Sequence, residues 1–255
     1  MKLIAALGVV WMAAGLDAKG DVQNAIKKLG DQANYSWTST PSMGGGGGGG
    51  GARFQPGPTN GKTEKEGYTL LTMTMGENSS EAALKGGKVA VKAQDGWKSG
   101  DELAAARGGQ QPGGQQPGGR QRGDPAGFMA RRLSTFKAPA AEAADLVEKS
   151  KDLKEEGGAY SGEMTEEGAK ALLSFGRGRR GGDAAGGQGP QVAGAKGTVK
   201  FWVKDGVLVK YEYTVSGKVT FGDREIDMNR TTTVEIKDVG STKVEVPEDA
   251  KKKLG

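Results

Sequence analysis

The chain of 255 residues contains no cysteine and no histidine. The first absence excludes disulfides, thiolate nucleophiles, iron–sulfur ligation and cysteine-type zinc sites. The second excludes imidazole-based triads, facial metal triads and the usual proton shuttle of neutral pH. Aromatic residues make up only 6%. Past the first few residues, no apolar run approaches the ~20 residues that a membrane-spanning helix needs. Chemistry is left to carboxylates, lysine, hydroxyls and tyrosine. What the chain has in excess is glycine, 46 residues, well over twice the usual share of about 7%. Lysine and arginine outnumber the carboxylates 36 to 31, for a formal net charge of +5.

The N-terminus is organised for export. Lys2 precedes an apolar run from Leu3 to Ala14, followed by Gly15-Leu16-Asp17-Ala18. A positive start, a short apolar stretch and a small-residue processing site are the parts of a secretory signal, here spanning 1–18, with the mature chain starting at Lys19. Without cysteine near that site, lipoprotein-type acylation is excluded. The expected location is periplasmic or secreted, with no transmembrane span. Export permits disulfides, and this chain has none, so its fold must rest on an apolar core.

Three segments depart from globular composition. The first, about 43–61, holds the eight glycines Gly44–Gly51 and then Pro56-Gly57-Pro58. The second, 108–124, repeats Gln-Gln-Pro-Gly-Gly from Gln110 to Gly119. The third, 176–195, scatters Arg177, Arg179 and Arg180 among glycines. Such stretches bury too little apolar surface to offset the entropy of ordering them, and they are expected as loop insertions. They fall between periodic segments, and long loops add closure entropy only slowly. One domain over 19–255 with three long loops is therefore expected.

The last 60 residues carry the clearest periodicity. Val199, Phe201 and Val203 alternate with Lys200, Trp202 and Lys204. After Asp205-Gly206, a two-residue hairpin signal, Val207, Val209, Tyr211, Tyr213 and Val215 alternate with Leu208, Lys210, Glu212 and Thr214. A third run sets Ile226, Met228, Thr232, Val234 and Ile236 on one face. These are half-buried antiparallel strands, and Pro247 opens a terminal helix. Upstream, a helix is expected over Asp21–Gln32 and strands over Tyr35–Thr40, Thr63–Met75 and Lys88–Ala93, before an Asp95-Gly96-Trp97 turn. Helices over Gly100–Arg107, Gly127–Leu133 and Pro139–Asp152, a strand over 159–163 and a helix over 165–174 follow. The segregation of strands and helices argues for α+β, with a large curved antiparallel sheet.

Few motifs carry chemistry. Gly176-Arg177-Gly178-Arg179-Arg180-Gly181 spells a dinucleotide fingerprint, but that fingerprint works between a strand and a following helix. Here a helix precedes it and glycine-rich chain follows. The arginines, with Arg120 and Arg122, have no interleaved aromatics and the chain is marked for export, so nucleic acid is not an expected partner. A solvated basic loop is the plain reading, and contact with anionic lipid headgroups the functional one. Arg122-Gly123-Asp124 is a chance tripeptide, and the sequons at Asn34, Asn78 and Asn229 matter only in a eukaryotic secretory host. No calcium-loop spacing, nucleophile elbow or Ser-x-x-Lys signature occurs. Glu155-Glu156 and Glu166-Glu167 read as solvated faces. No enzyme, metal or cofactor is expected.

The aromatic and methionine residues are more informative. Trp37, Trp97, Trp202, Tyr211, Tyr213, Met73 and Met75 fall on or beside expected strands, as packed core or as the wall of an apolar cavity. Trp202 points away from Phe201 and Val203, which implies a sheet covered on both sides. Tyr35-Ser36-Trp37 opens the first strand, Val91 to Trp97 reads Val-Lys-x-x-Asp-Gly-Trp, and Phe201 to Gly206 forms the closing hairpin. With Asp238-Val239-Gly240 and Val246-Pro247-Glu248, these features resemble the LolA/LolB and LppX/LprG type of bacterial cell-envelope carrier proteins over most of the chain outside the insertions.

That resemblance implies a LolA-like domain. In it, an incomplete antiparallel β-barrel is closed by helices over its open face around an apolar cavity for a lipid or lipoprotein acyl chain. The residues it places on the cavity wall are Trp37, Leu71, Met73, Met75, Tyr211 and Tyr213. Other envelope proteins are the further partners it implies. The alternative reading is a non-catalytic envelope scaffold, with a solidly packed sheet and flexible basic loops.

Overall fold

A computed structural model of the protein describes residues 17–44, 57–76, 78–108, 125–174, 191–221 and 224–255. The expected signal, apart from its last two residues, and most of the three glycine-rich segments lie outside the described residues. Helix α1 (Ala18–Gly30) starts where the signal is expected to end. A first meander follows: β1 (Asn34–Met43), β2 (Thr59–Glu64), β3 (Thr69–Met75), β4 (Asn78–Lys85), β5 (Lys88–Ala93) and β6 (Gly96–Ser99). Helices α2 (Gly100–Gly108), α3 (Pro125–Leu133) and α4 (Pro139–Glu148) come next. The second meander is β7 (Lys154–Glu156), β8 (Ala159–Glu163), β9 (Gln191–Lys204), β10 (Val207–Phe221) and β11 (Arg224–Lys237), with α5 (Glu166–Ser174) between β8 and β9. Helix α6 (Glu248–Leu254) ends the chain.

All eleven strands form one antiparallel sheet in the order β6-β5-β4-β3-β2-β1-β11-β10-β9-β8-β7. The first strand of one meander pairs with the last of the other, Trp37 opposite Ile236, and welds the two halves into a continuous surface. The fold is α+β with a large curved sheet, and the sheet is not closed into a barrel. Its edges are the four-residue β6 and the three-residue β7, whose Lys154, Glu155 and Glu156 are all exposed. Short, charged edge strands do not recruit another chain.

The closing meander keeps its expected period over Tyr211–Val215 and Thr232–Ile236, but a bulge between Leu208 and Lys210 shifts its phase, so Leu208, expected on the polar face, is buried while Val207 and Val209 are half-buried, and Ile226 at the far end of β11 is exposed. Asp205 and Gly206 both take positive φ, 54° and 72°, as a tight hairpin with the native strand twist demands. Upstream, three expectations are corrected. Thr63–Met75 is not one strand: the chain reverses at Glu64–Tyr68, where Glu66 has φ 55° and the Glu64 N–H donates to the Tyr68 carbonyl at 2.9 Å. The turn expected at 95–97 lies one step earlier, and Gly96 and Trp97 open β6. The third glycine-rich segment ends sooner than its composition implies, since Gln191–Ala195 belongs to β9; Met43 likewise ends β1, and Thr59–Gly61 begins β2.

The main core lies on one face of the sheet. There α1 packs on α4 and β10, α5 on β9 and β10, and α3 on β5. The apolar stripe of α1, Val22, Ala25, Ile26 and Leu29, meets Phe201, Leu208 and Tyr211 within this cluster. Gly217 on β10 permits the close approach of α5, because a side chain there would meet the Leu173 Cδ1 at 2.8 Å. A second, smaller core covers the opposite face of β4–β6, where Ala250 and Leu254 of α6 and Val246 pack on Ala83, Ala90 and Trp97. Helix α6 thus covers part of the second face as well, as a sheet covered on both sides requires. Trp202 lies on that outer side, but under the Lys210 ammonium, 4.8 Å from its ring centre, and not under a helix.

Candidate apolar binding site

Register places the expected wall residues on one face. One row across the sheet reads Ile236, Trp37, Gly61, Leu71, Ala82 and Val91. The adjacent row reads Phe201, Tyr211, Val234, Ser39, Thr59 and Met73. Tyr213 stands two residues along β10, opposite Thr232. Trp37, Leu71, Met73, Tyr211 and Tyr213 thus share the helix-covered face, and each is 8% exposed or less. They are packed core in this state. Met75 ends β3 opposite Asn78, and its side chain is outside the description.

Trp37 shows how tightly the face is built. Its indole lies flat over Gly61 on β2, stacks on Phe136 at 5.8 Å between ring centres, and donates from Nε1 to the Thr63 Oγ1 at 3.1 Å. The Thr69 hydroxyl donates to the same Thr63 oxygen at 3.3 Å. Only glycine at 61 leaves room for the ring.

Next to it the sheet holds a polar cluster. The Tyr211 hydroxyl donates to Glu142 Oε2 at 2.5 Å and the Tyr213 hydroxyl to Oε1 at 3.3 Å, which clamps α4 to β10. Burial raises the Glu142 carboxyl above its ordinary range, against the pull of both phenols and of the Arg230 guanidinium. The phenols rise for the same first reason and then because Glu142 faces them, Tyr213 to about 12. The two phenols keep their protons near pH 7, and so bind and position rather than exchange them. Arg230 donates from Nη2 to the Leu172 carbonyl at 3.2 Å, while its buried Nε has no partner among the described residues.

Glu142 and Arg230 were not anticipated as site residues. Each has a signal in the sequence. Glu142 is a carboxylate on the Pro139/Ala143/Leu146 stripe of its helix, and Arg230 occupies the apolar phase of β11 between Met228 and Thr232. Polar residues on apolar stripes are the informative exceptions to patterning.

The face is not sealed everywhere. Between α2, α3 and β5 lies a half-open groove of about 430 Å³. Its floor is Val89, Leu103 and Ala130, all members of the main core, so the groove opens onto that core. Small residues make the space: Gly100, Ala104 and Gly127 line it where longer side chains would fill it. Lys88, Arg131 and Lys253 stand around it, with Asp101 as the facing carboxylate. Helix α2 is fixed by a reciprocal cap, the Ser99 N–H donating to Glu102 Oε2 at 2.8 Å and the Glu102 N–H to the Ser99 Oγ at 3.2 Å. Such boxes satisfy two otherwise unpaired donors. Lys253 of α6 pairs with the same Glu102 at 2.5 Å. Among the described residues no group of carboxylates could hold a metal ion, and no helix is long and apolar enough to cross a membrane.

No family model matches the chain, and no curated protein matches it. Among the solved structures similar to it are two mycobacterial proteins. The lipoprotein LppX of Mycobacterium tuberculosis is 11% identical with a TM-score of 0.42, the match covering 90% of this chain and 98% of that one. LprF from Mycobacterium bovis is 10% identical, again at 0.42, covering 91% and 97%.

Proposed function

We propose that the protein is an exported, non-catalytic cell-envelope protein that binds a lipid or a lipoprotein acyl chain between the sheet and its helices. The observation that carries this reading is the groove beside β5. An opening of about 430 Å³ whose floor is the main core falls within the range of pockets that take small apolar ligands. Each methylene buried there contributes roughly 0.8 kcal/mol, so an acyl chain needs no strong polar contact to be held. Trp37, Leu71, Met73, Met75, Tyr211 and Tyr213 are the wall onto which a longer chain would extend if the helices yield. The helices are suited to yield, since α2, α3 and α4 are 9, 9 and 10 residues long. Isolated helices of that length are marginal, and their stability comes from packing.

A second reading, the packed scaffold, is favoured by the near-complete burial of the five described wall residues. Native mass spectrometry of the chain from Lys19, purified from a bacterial periplasm without detergent, separates the two. A stoichiometric adduct of lipid mass is expected. A bare protein mass that persists after incubation with phospholipid overturns the carrier reading in favour of the scaffold.

A further inference from the structure

We infer that the groove beside β5 takes a single-chain amphiphile with an anionic head, the chain on Val89, Leu103 and Ala130 and the head at Lys88 and Arg131. This rests on the acyl-binding reading above and adds the ligand's headgroup and chain number. The floor is apolar and joins the main core, whereas the mouth carries cations. Lys253, the third cation of the lining, is taken by Glu102. Lys88 and Arg131 are exposed and carry no carboxylate partner among the described residues. Asp101 is the one acidic residue of the lining. An apolar floor whose lip carries two cations outside any ion pair, against the single carboxylate of Asp101, complements a carboxylate or phosphate head on a hydrocarbon tail. A guanidinium matches the oxygen pair of such a head in a fork that an alcohol cannot offer.

The volume argues for one chain. About 430 Å³ lies near the lower end of the ~300–1,000 Å³ range of small-molecule sites, and the groove walls are helices α2 and α3, each already packed against the other and against β5. A second chain would have no floor of its own.

The test uses equilibrium dialysis of the protein from Lys19 with dodecanoate and with 1-dodecanol, both below the concentrations at which they aggregate. Dodecanoate is expected to bind about tenfold more tightly at low salt. That preference should shrink as salt is raised, because charges at an exposed lip are screened. The paired substitution Lys88→Glu with Arg131→Glu changes two exposed side chains and is expected to abolish the preference while leaving dodecanol binding in place. Ala104→Trp, at an exposed position of the lining, fills the groove and is expected to lose both ligands with the circular dichroism spectrum unchanged. Equal affinity for the two ligands, or a preference that survives charge reversal, refutes the headgroup assignment and leaves acyl binding standing. Binding that survives Ala104→Trp places the ligand elsewhere and overturns the site. If neither ligand binds, acyl binding fails with it, and so it does if the protein associates with anionic vesicles alone.

Discussion

Replacing Gly61 with alanine is the sharpest probe of how the sheet's covered face is built. A methyl group at this position would stand 2.6 Å from the Trp37 Nε1 and closer still to ring carbons Cε2 and Cζ2. The backbone of β2 is locked between β1 and β3, so the indole must move. Moving it stretches the Nε1–Thr63 hydrogen bond, worth about 1 kcal/mol, and disturbs the Phe136 stack, worth roughly 0.5–1.5 kcal/mol. Both are part of an overpacking cost of typically 1–3 kcal/mol. Against this, alanine relieves about 0.5–1 kcal/mol of the entropic disadvantage of a strand glycine. The net expectation is a loss of about 1–2 kcal/mol, or roughly 2–8 °C in melting temperature for a chain of this size. The assay is urea denaturation followed by far-UV circular dichroism, run as a cycle with Trp37→Leu. With the indole gone, Gly61→Ala should become neutral or mildly stabilising, a coupling of at least about 1–2 kcal/mol. A neutral Gly61→Ala in the presence of Trp37, or the same loss without it, refutes the argument.

Three further outcomes follow from the packing. Because the Glu142 carboxyl titrates above its ordinary value of 4.5, the folded state holds that proton more firmly than the unfolded chain does. Its contribution is therefore fully present below pH 4.5 and is lost as pH rises through the raised value. Asp145, held below its ordinary value beside Lys137 and Lys149, acts in the opposite sense at lower pH. The prediction is accordingly a difference: Glu142→Gln removes the decline above pH 4.5 and leaves the acid limb, read from melting temperature against pH. An unchanged difference curve would sink it. Tyr211→Phe leaves Glu142 Oε2 without its phenol in a buried setting and should cost about 1–3 kcal/mol by urea denaturation, whereas a cost near zero would mean the clamp of α4 to β10 contributes nothing. Deleting half of the segment between α2 and α3, residues 109–116, should move the melting temperature by no more than about 1–2 °C, since halving a loop changes its closure entropy by only about 0.6 kcal/mol. A drop of 10 °C would show that those residues pack.

The strands that could be read from the sequence are those with one covered face. β10 and β11 alternate because helices bury one side and solvent meets the other, so the side-chain period of two is written in the residue types. β4 defeats this reading. Ala82, Ala83 and Leu84 are all buried, the first and third under the main core and the second under α6, and a strand covered on both faces has no alternation to show. β7, three charged residues at an edge, has none either. The hairpin at Glu64–Tyr68 was hidden because Glu66 adopts positive φ without being glycine or asparagine, so no turn dipeptide marks it.

The sequence by itself determined the chemistry that is missing, the export segment as an expectation, the closing meander, the α+β class and the residues that would meet on one face. Period and composition are local properties, and a chain without cysteine or histidine has few chemistries open to it. Only the tertiary structure decided that Trp37, Leu71, Met73, Tyr211 and Tyr213 are packed rather than lining open space. It also decided that Glu142 is brought to two tyrosines 69 and 71 residues away and that the opening lies beside β5. Each of these depends on the β1–β11 pairing and on where short helices settle. No local pattern encodes a contact between segments 200 residues apart, because its free energy exists only once the chain between them has folded.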